Sequence, residues 1–375
     1  MQACNTPFGA LQLDRYPETR NPTLQPFDTA DLYLLQQLAD ASAPAGPILV
    51  INDQFGTLAC ALALAGLQVH SWTDSFLAQQ ALINNLQSNG LKPDAVRSYS
   101  SQETPEGPYA RVLVKVPKSL SLLEDQLSRL RERLTDDAEV NAGAMVKHLP
   151  HSAGDLLARY IGPYQASLAW KKARLLNAKM DPSLTPAKPE LITRYALEGS
   201  PFSLQNQPGV FSREHLDIGT RALLACLPSG QGSARIVDLG CGNGALGIRA
   251  AELNPEAQLL FIDESYAAVS SAKANFTLAF PERQADFVVA DGLLNLAPGS
   301  ADLILCNPPF HQQQVIGDEL AMRLFEQSKA VLTTQGRLII VGNRHMGYHV
   351  KLRTFFNKIE QLSAHPKFNV LAAWE

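Results

Sequence analysis

The tetrapeptide Asn307-Pro308-Pro309-Phe310 is the stretch of the chain best suited to a chemical role. It follows the apolar run 301–306, which is typical of a short buried strand. Proline has no N–H, so the Asn307 side-chain oxygen and the Pro308 carbonyl are left as two outward acceptors. Two close acceptors fit the hydrogens of a planar NH2 group, and the Phe310 ring can stack on the plane that carries it. The turn predicts a pocket for a planar nitrogen that is to be alkylated; the alternative is a tight Pro-Pro turn with no chemical role.

A glycine-rich segment, residues 238–244, separates a predicted strand from a predicted helix. Gly240, Gly242 and Gly244 allow a tight turn and a close approach of the backbone to a ligand at the helix N-terminus. Alone, such a loop is weak evidence, because NAD-binding proteins carry similar ones. Asp238, directly before the glycines, favours S-adenosylmethionine, since a carboxylate suits the cationic methionine end of that cofactor.

Two further acidic residues follow at the ends of the next predicted strands. Asp263, 25 residues after Asp238, can hold the two ribose hydroxyls of a cofactor. Asp291, at the third strand end, can reach an adenine amine; its alternative is a strand-end or helix-cap role. The glycine loop, the two acids and the Asn-Pro-Pro-Phe turn thus occupy four successive strand ends, where ligands bind in parallel sheets.

Composition narrows the class of protein. A chain of 375 residues with 46% hydrophobic and 18% charged residues is expected to fold as two soluble globular domains. The net charge of −4 argues against a surface coated in positive charge, although a local basic groove stays possible. Five widely spaced cysteines, none in a Cys-x-x-Cys pair, favour reduced thiols and no metal site. Without a secretion signal or a long apolar run, the expectation is a cytoplasmic protein that does not contact a membrane.

Strands alternate with helices on both sides of a segment rich in Pro, Ser and Asn, residues 179–207. This spacing predicts an α/β protein with a parallel sheet, covered on both faces, in each half. We therefore predict two domains, residues 1–185 and 186–375.

The two halves form an internal repeat. Ser75 and Asn85 are ten residues apart, as are Ser265 and Asn275. The first half keeps one of the three loop glycines and, at the positions of Asp263 and (to within one residue) Asn307, has Thr73 and Val116. A loop without small residues cannot bring its backbone close to a ligand. The first half is predicted to be a copy that has lost the cofactor and the chemistry.

The C-terminal half resembles the class I S-adenosylmethionine-dependent methyltransferases, and its Asn-Pro-Pro-Phe turn resembles their amino-methylating branch. The whole chain, with its altered first copy and intact second copy, resembles the bacterial ribosomal RNA guanine-N2 methyltransferases. Residues 52–56, 168–175, 210–213 and 306–313 are similar to the large-subunit (23S) enzymes. The small-subunit (16S) enzymes share the second-half motifs but not the Trp-Lys-Lys-Ala-Arg stretch. The resemblance implies two tandem Rossmann-like methyltransferase domains, the first degenerate and RNA-binding, the second catalytic.

The resemblance also implies a reaction: methyl transfer from S-adenosylmethionine to the exocyclic N2 of a specific guanine in 23S ribosomal RNA, naked or partly assembled. Asn307 Oδ1 and the Pro308 carbonyl would accept the two amine hydrogens and aim the nitrogen lone pair at the methyl group. Phe310 would stack on the base, which must be unpaired or flipped to enter. The predicted catalytic residues are Asn307, Pro308, Pro309 and Phe310; the predicted cofactor-binding residues are Asp238, Gly240, Gly242, Gly244, Asp263, Asp291 and Asn307.

A basic and aromatic segment, residues 159–179, contains five basic residues and no acidic one, with two tyrosines and one tryptophan between them. Positive charge for phosphates and flat rings for bases are what a single-stranded RNA surface needs. The predicted RNA-binding residues are Trp170, Lys171, Lys172 and Arg174. The alternative is a solvated helix face.

Other functions stay open at this point. A 16S ribosomal RNA substrate is the nearest, and the same pocket could methylate the side-chain amide of a protein glutamine at N5. The inactive copy and the basic segment disfavour the glutamine substrate, and no separate target-recognition segment supports a DNA adenine substrate. A ribosome-assembly RNA binder with vestigial catalysis would fail to bind S-adenosylmethionine.

Overall fold

The computed structural model describes residues 1–19, 21–41, 46–308 and 314–375. The chain divides into two units, Met1–Leu191 and Ile192–Glu375, each considered by itself. Our predicted boundary, between residues 185 and 186, lies in the strand-free stretch that joins them. None of the helices in the four described ranges has the length and apolar composition needed to cross a membrane.

The first unit contains nine strands and five helices within the described residues. In chain order they are β1 (Gln2–Thr6), β2 (Gly9–Leu13), α1 (Thr29–Ala39), β3 (Ile48–Ile51), α2 (Thr57–Leu64), β4 (Val69–Thr73), α3 (Phe76–Ser88), β5 (Val96–Ser100), β6 (Tyr109–Lys115), α4 (Leu120–Leu130), β7 (Leu134–Met145), α5 (His151–Tyr160), β8 (Tyr164–Ala166) and β9 (Ala173–Lys179).

The second unit repeats this succession of elements. They are β10 (Thr193–Ala196), β11 (Ser203–Asn206), α6 (Ile218–Leu224), β12 (Arg235–Leu239), α7 (Ala245–Leu253), β13 (Gln258–Asp263), α8 (Tyr266–Ala279), β14 (Asp286–Val289), β15 (Ala301–Cys306), α9 (Gln314–Val331), β16 (Leu332–Asn343), α10 (Tyr348–Lys351), β17 (Lys358–Ala364) and β18 (Phe368–Trp374).

Each unit is built on a seven-stranded sheet, and the two sheets have the same strand order. The orders are β5-β4-β3-β6-β7-β9-β8 and β14-β13-β12-β15-β16-β18-β17. The first five strands of each order are parallel, and the last two run antiparallel to their neighbours. All four residues of β3 are fully buried and apolar, as expected for a parallel strand with both faces covered. The predicted α/β architecture is confirmed.

Side-chain contacts confirm the internal repeat. Asn85 Nδ2 donates to the carbonyl of Phe55 at 2.8 Å, and Asn275 Nδ2 donates to the carbonyl of Asn243 at 2.9 Å. In each unit, therefore, an asparagine of α3 or α8 donates a hydrogen bond to the loop that follows the central strand, β3 or β12. Parallel strands bring their carboxyl ends to one edge of a sheet, so the four predicted strand-end motifs of the second unit share an edge.

The strand register identifies the residue of the first unit that corresponds to Asn307. In each sheet, this residue directly follows the partner of the last residue of the central strand, β3 or β12. It is Lys115, the residue before Val116, which agrees with the predicted alignment to within its stated tolerance of one residue. The alignment depended on a proline that occurs in both loops, and a shared proline does not place the neighbouring residues more precisely than this.

The first unit places side chains where the second unit has its glycine loop. Asn52, which follows the central strand as Gly240 does, has a φ of 61°. Its amide exchanges two hydrogen bonds with Gln126, both of 2.8 Å. Asp53 is buried and accepts the N–H of Ala59 at 2.9 Å. These contacts agree with the prediction that the first copy no longer takes the cofactor.

Lys115 forms an ion triad with two carboxylates of α1. Its Nζ lies 2.8 Å from Asp28 Oδ1 and 2.7 Å from Asp31 Oδ1. Asp28 is the N-cap residue of the helix and Asp31 its third residue. Burial alone would lower the pKa of Lys115, but the two carboxylates raise it above its ordinary value. In the first unit, the position that corresponds to Asn307 is therefore occupied by a lysine that is paired with two carboxylates.

Lys115→Met is expected to lower the free energy of unfolding of the first unit by about 3 kcal/mol, because it leaves two neighbouring carboxylates without their cation. Hydrogen exchange of the β3 and β6 amides, followed by mass spectrometry, measures this opening. The exposed Lys92 supplies the control. Equal protection in Lys115→Met and Lys92→Met would contradict a stabilising triad.

Candidate functional site

The loop from β12 to α7 encloses an open space. Gly240, Gly242 and Gly244 all have positive φ angles, of 69°, 53° and 86°. Among the described residues, a Cβ atom at Gly242 would meet nothing within 4 Å, and one at Gly240 would meet only the carbonyl of Asn307 at 4.0 Å. A Cβ at Gly244 would lie 3.1 Å from Ala272 of α8. The first two glycines thus line a cradle that a ligand can enter, and the third lets two helices pack.

Asp263 braces the cradle from the end of β13. Its Oδ2 accepts the N–H of Gly242 at 2.9 Å, and its Oδ1 accepts the N–H of Ser265 at 3.0 Å. Burial raises the pKa of this carboxyl above its ordinary value. Each carboxylate oxygen has more than one acceptor site, so Asp263 can still accept from ligand hydroxyls. Its predicted contact with ribose stays a prediction.

Asp238 lies beneath the loop, with no exposed surface. Its Oδ2 accepts the N–H of Gly247 at 2.8 Å, and its Oδ1 has no hydrogen-bond partner among the described residues. Burial, with a smaller contribution from Asp263, raises the pKa of Asp238 to about 8. A buried carboxyl without a counter-ion suits a ligand that brings positive charge to the cradle.

Asp238→Asn is expected to remove a pH-dependent loss of stability. The pKa of about 8 in the folded chain lies above that of an aspartate in an unfolded chain, about 3.9. The folded state therefore keeps a proton that the unfolded state releases, and this stability is lost as the pH rises from about 4 to about 8. Without ligand, the Tm of the wild type should fall relative to that of Asp238→Asn over this range in calorimetry. The exposed Asp286→Asn is the control, and parallel curves for wild type and Asp238→Asn would contradict the expectation.

Asp291, after β14, is held by α9. Arg323 donates to both carboxylate oxygens, at 2.7 and 2.5 Å. Gln327, one helical turn further on, accepts the N–H of Leu293 at 2.9 Å. Helix α9 thus holds the turn after β14 in place. The sequence did not predict these contacts from α9. The predicted contact of Asp291 with an adenine amine stays a prediction.

The Asn307 amide has one determined orientation. Its Nδ2 donates to Thr220 Oγ1 at 2.8 Å and to Asp217 Oδ2 at 3.2 Å. A carboxylate only accepts hydrogen bonds, so the NH2 end must face Asp217. Oδ1 is buried and has no hydrogen-bond partner among the described residues. Because a buried unpaired oxygen costs about 1–3 kcal/mol, this arrangement is typical of an acceptor whose donor comes from a ligand.

The rest of the Asn-Pro-Pro-Phe turn is described in part. Pro308 is buried directly after Asn307. Pro309 and Phe310 lie outside the described residues, so the predicted stacking of a planar group on Phe310 stays a prediction. Among the described residues, no group of three or more His, Cys, Asp and Glu side chains could hold a metal ion.

Asp217 and Thr220 are site residues that the sequence reasoning missed. They are the N-cap and the third residue of α6, a helix that we did not predict. The available signal was a capping pattern, an Asp followed three residues later by a hydroxyl side chain before an apolar run. A similar spacing, Asp28 to Asp31, occurs at the start of α1.

In the first unit, residues 159–160 of the basic and aromatic segment end α5, and its later residues form a hairpin between β8 and β9. Trp170 and Ala173 exchange two backbone hydrogen bonds, of 2.9 and 2.8 Å. Lys171 and Lys172, at the tip, have φ angles of 45° and 67°, the pattern of a type I′ turn, which usually needs Asn-Gly. Lys171 Nζ lies 4.9 Å from the centroid of the Trp170 ring. The alternative of a solvated helix face is therefore wrong for these residues.

The four predicted RNA-binding side chains differ in exposure. Both tip lysines are exposed, Trp170 is 37% exposed and Arg174 is half-buried. Tyr33 of α1 packs against the Trp170 ring, with centroids 5.5 Å apart. The hairpin thus presents two exposed lysines beside the Trp170 ring, and Tyr33 holds that ring in position.

Comparisons with known proteins cover the whole chain. Residues 1–182 match the RLMG N-terminal domain family, and residues 201–372 match the methyltransferase small domain family. The chain is 54% identical over 372 residues to the ribosomal RNA large subunit methyltransferase G of Stutzerimonas stutzeri, covering 99% of each. It is 52% identical to the protein of that name from Pseudomonas putida, covering 100% of each. A T. thermophilus 16S rRNA N2 methyltransferase, solved with AdoMet and guanosine, shares the fold at a TM-score of 0.78 and 21% identity, covering 100% of this chain and 97% of that one.

Proposed function

Since the chain belongs to the ribosomal RNA large subunit methyltransferase G family, we propose that it transfers a methyl group from S-adenosylmethionine to the exocyclic N2 of one guanine in 23S ribosomal RNA. The observation that carries this proposal is Oδ1 of Asn307 at the carboxyl end of β15, which is buried and has no hydrogen-bond partner among the described residues. The predicted fold, two tandem Rossmann-like class I methyltransferase domains with a degenerate first copy, is confirmed. The reaction belongs in the cytoplasm, on naked or partly assembled RNA.

The residues of the second unit fit S-adenosylmethionine. Gly240 and Gly242 leave room in the cradle, and Asp238 and Asp263 place carboxyl groups beside it. In this proposal Asp263 binds the ribose hydroxyls and Asp291 the adenine amine, while Asp238 compensates the cationic methionine end. Because Asp238 also accepts the N–H of Gly247, it links ligand charge to the start of α7.

The chemical task of the chain is to make a weak nucleophile reactive. The exocyclic amine of guanine is weak because its lone pair is conjugated with the ring. Asn307 Oδ1 and the Pro308 carbonyl, by accepting its two hydrogens, would let the nitrogen become pyramidal and direct the lone pair. S-adenosylmethionine supplies an electrophilic methyl group, so alignment contributes more here than a strong base. Phe310 is proposed to stack on the flipped base.

The first unit is proposed to hold the RNA through the Trp170–Ala173 hairpin. Exposed lysines at its tip can contact phosphates, and the Trp170 ring can stack on a base. Two non-glycine residues with positive φ are energetically unfavourable, so this turn keeps its lysines at a cost in stability. That combination supports a binding role for Lys171 and Lys172.

The proposed function is tested by a methyl-transfer assay. Radiolabelled S-adenosylmethionine is offered with protein-free 23S RNA, protein-free 16S RNA, each ribosomal subunit and a release factor that carries a methylatable glutamine. Label on N2 of one guanine in 23S RNA is the expected result. Label on 16S RNA would move the substrate to the small subunit, and label on the release factor alone would replace RNA by a protein glutamine.

Lys171→Asn with Lys172→Gly is expected to stabilise the first unit and weaken RNA binding together. An Asn-Gly turn relaxes the two positive φ angles, which should raise stability by about 1 kcal/mol. Loss of two phosphate contacts should make the negative slope of log affinity against log salt shallower by about 2. Filter binding of 23S RNA at several salt concentrations measures the slope. An unchanged slope would exclude the hairpin from the RNA contact, and Lys147→Asn with Lys188→Gly is the charge-matched control.

A further inference from the structure

We infer that Asp217 and Thr220 are positioning residues for methyl transfer, which hold the Asn307 amide so that its Oδ1, and not its Nδ2, is presented to the target amine. The inference rests on the proposed function. It identifies the residues that hold Asn307 with its oxygen towards the target amine. Asp217 and Thr220 are separated from Asn307 by 90 and 87 residues of sequence. They meet it because the N-terminus of α6 lies at the end of β15.

The hydrogen bonds among these three side chains run in one direction. Thr220 Oγ1 donates to Asp217 Oδ2 at 3.4 Å, which leaves the hydroxyl lone pairs for Asn307 Nδ2 at 2.8 Å. The second contact of Nδ2, at 3.2 Å, is again with Asp217 Oδ2. A reversed amide would place its oxygen against the Asp217 carboxylate oxygen, and it could keep a contact with Thr220 only if the hydroxyl gave up its hydrogen bond to Asp217 and donated to the amide oxygen instead. The pair therefore stabilises one of the two orientations.

This orientation decides whether Asn307 can act on an amine. The two ends of an amide are almost equal in size, so packing alone does not distinguish them, and only hydrogen-bond partners do. A reversed Asn307 would present N–H groups to an amine that also carries N–H groups. No hydrogen bond would then form with the target. Holding Nδ2 is thus equivalent to presenting Oδ1.

The first unit provides independent support, because it repeats the arrangement with other side chains. Lys115, at the position of Asn307, is contacted by Asp28 and Asp31, the N-cap and third residue of α1. In both units a donor at the end of β6 or directly after β15, the fourth strand in the sheet order, contacts two acceptors. These acceptors lie at the start of α1 or α6, the helix that precedes the central strand. An ammonium group has no acceptor of its own. Only the amide of the second unit satisfies both helix residues and still has an oxygen to offer.

The first arm of the test measures methyl transfer to 23S RNA. Thr220→Val keeps the shape of the side chain and removes the hydroxyl; we expect kcat to fall about 10–100-fold, with KM for RNA unchanged within about twofold. Thr220→Ser should recover most of the lost rate. Thr57→Val is the matched control, since Thr57 is also buried and its hydroxyl, among the described residues, bonds only the carbonyl of Pro26. In an Asn307→Ala background, Thr220→Val should cause no further loss.

Asp217→Asn tests the carboxylate separately. Asparagine is as good an N-cap as aspartate, so the start of α6 should persist. The new amide can both donate and accept, so it no longer excludes the reversed orientation of Asn307. We expect a fall in kcat similar to that of Thr220→Val. A wild-type rate in both variants would overturn the inference.

The second arm needs no methyl transfer. The side-chain NH2 signal of Asn307 in a nitrogen-15 spectrum is identified by its absence in Asn307→Ala. We expect its protons to exchange slowly with water in the wild type, at least about tenfold faster in Thr220→Val, and slowly again in Thr220→Ser. Unchanged exchange in Thr220→Val overturns the inference, whatever the assay shows. A wild type that methylates no RNA, although Asn307 is protected, contradicts the proposed function and the catalytic part of the inference, while the hydrogen-bonded hold stands.

Discussion

Asn307→Ala is expected to lower kcat for methyl transfer to 23S RNA by about 1,000-fold, because it removes the acceptor that aligns the target amine. The variant keeps the Asn307 backbone carbonyl, the atom of this residue that lies beside Gly240 in the cradle, so binding of S-adenosylmethionine should change by less than about threefold. The alanine also leaves Asp217 and Thr220 with each other as partners, and their mutual hydrogen bond keeps the start of α6 in place. A rate assay under single-turnover conditions, paired with calorimetric binding of the cofactor, separates the two effects.

Asn307→Asp is the sharper companion variant. It keeps an acceptor of the same size but replaces the Nδ2 donor by a second oxygen, which would face the carboxylate of Asp217. We expect activity nearly as low as in Asn307→Ala, since repulsion between the two carboxylates moves the side chain out of position. Substantial activity in Asn307→Asp would mean that an acceptor at this position is sufficient, without the orientation that Asp217 and Thr220 impose. Full activity in Asn307→Ala would remove the turn from the mechanism.

Gly240→Ala combined with Gly242→Ala is expected to weaken binding of S-adenosylmethionine by on the order of 100-fold. Each added methyl group points into the cradle, where overpacking costs about 1–3 kcal/mol. No atom of the described residues lies within 4 Å of a Cβ at Gly242, so this part of the fold tolerates the change apart from backbone strain. Isothermal titration calorimetry measures the dissociation constant, and the Tm without ligand reports the strain.

The chain contains a matched control for that strain. Gly230 and Gly232, in the turn before β12, have φ angles of 69° and 55°, and a Cβ atom at either position would meet nothing within 4 Å in the part of the chain that the structure describes. Gly230→Ala combined with Gly232→Ala therefore imposes a similar backbone strain outside the cradle. We expect a similar fall in Tm and unchanged cofactor affinity. Equal loss of affinity in both double variants would show that strain, not filling of the cradle, weakens binding.

The residues of the cradle were predictable because their signals are local. Three glycines with an acid before them lie within seven consecutive residues, and the strand and helix on either side have clear apolar patterns. The role of Asp238 was less predictable. In the second unit Asp238 accepts the N–H of Gly247, and in the first unit Asp53, from a different loop position, accepts that of Ala59. In both units a carboxylate accepts a backbone N–H at the start of the helix that follows the central strand, α2 or α7. The two acids do not occupy aligned positions in the sequence, so the repeat did not reveal this shared contact.

By itself, the sequence determined the alternation of strands and helices, the internal repeat, the glycine loop and the Asn-Pro-Pro-Phe turn. Each depends on residues close together in the chain or on a repeated spacing, which periodicity and residue type reveal. Only the tertiary structure decided which end of the Asn307 amide is free, that Lys115 fills the corresponding place in the first unit, and that Arg323 holds Asp291. These contacts join residues 32 to 90 positions apart. They exist because packing of helices on each sheet brings their ends together, and no local pattern carries that information.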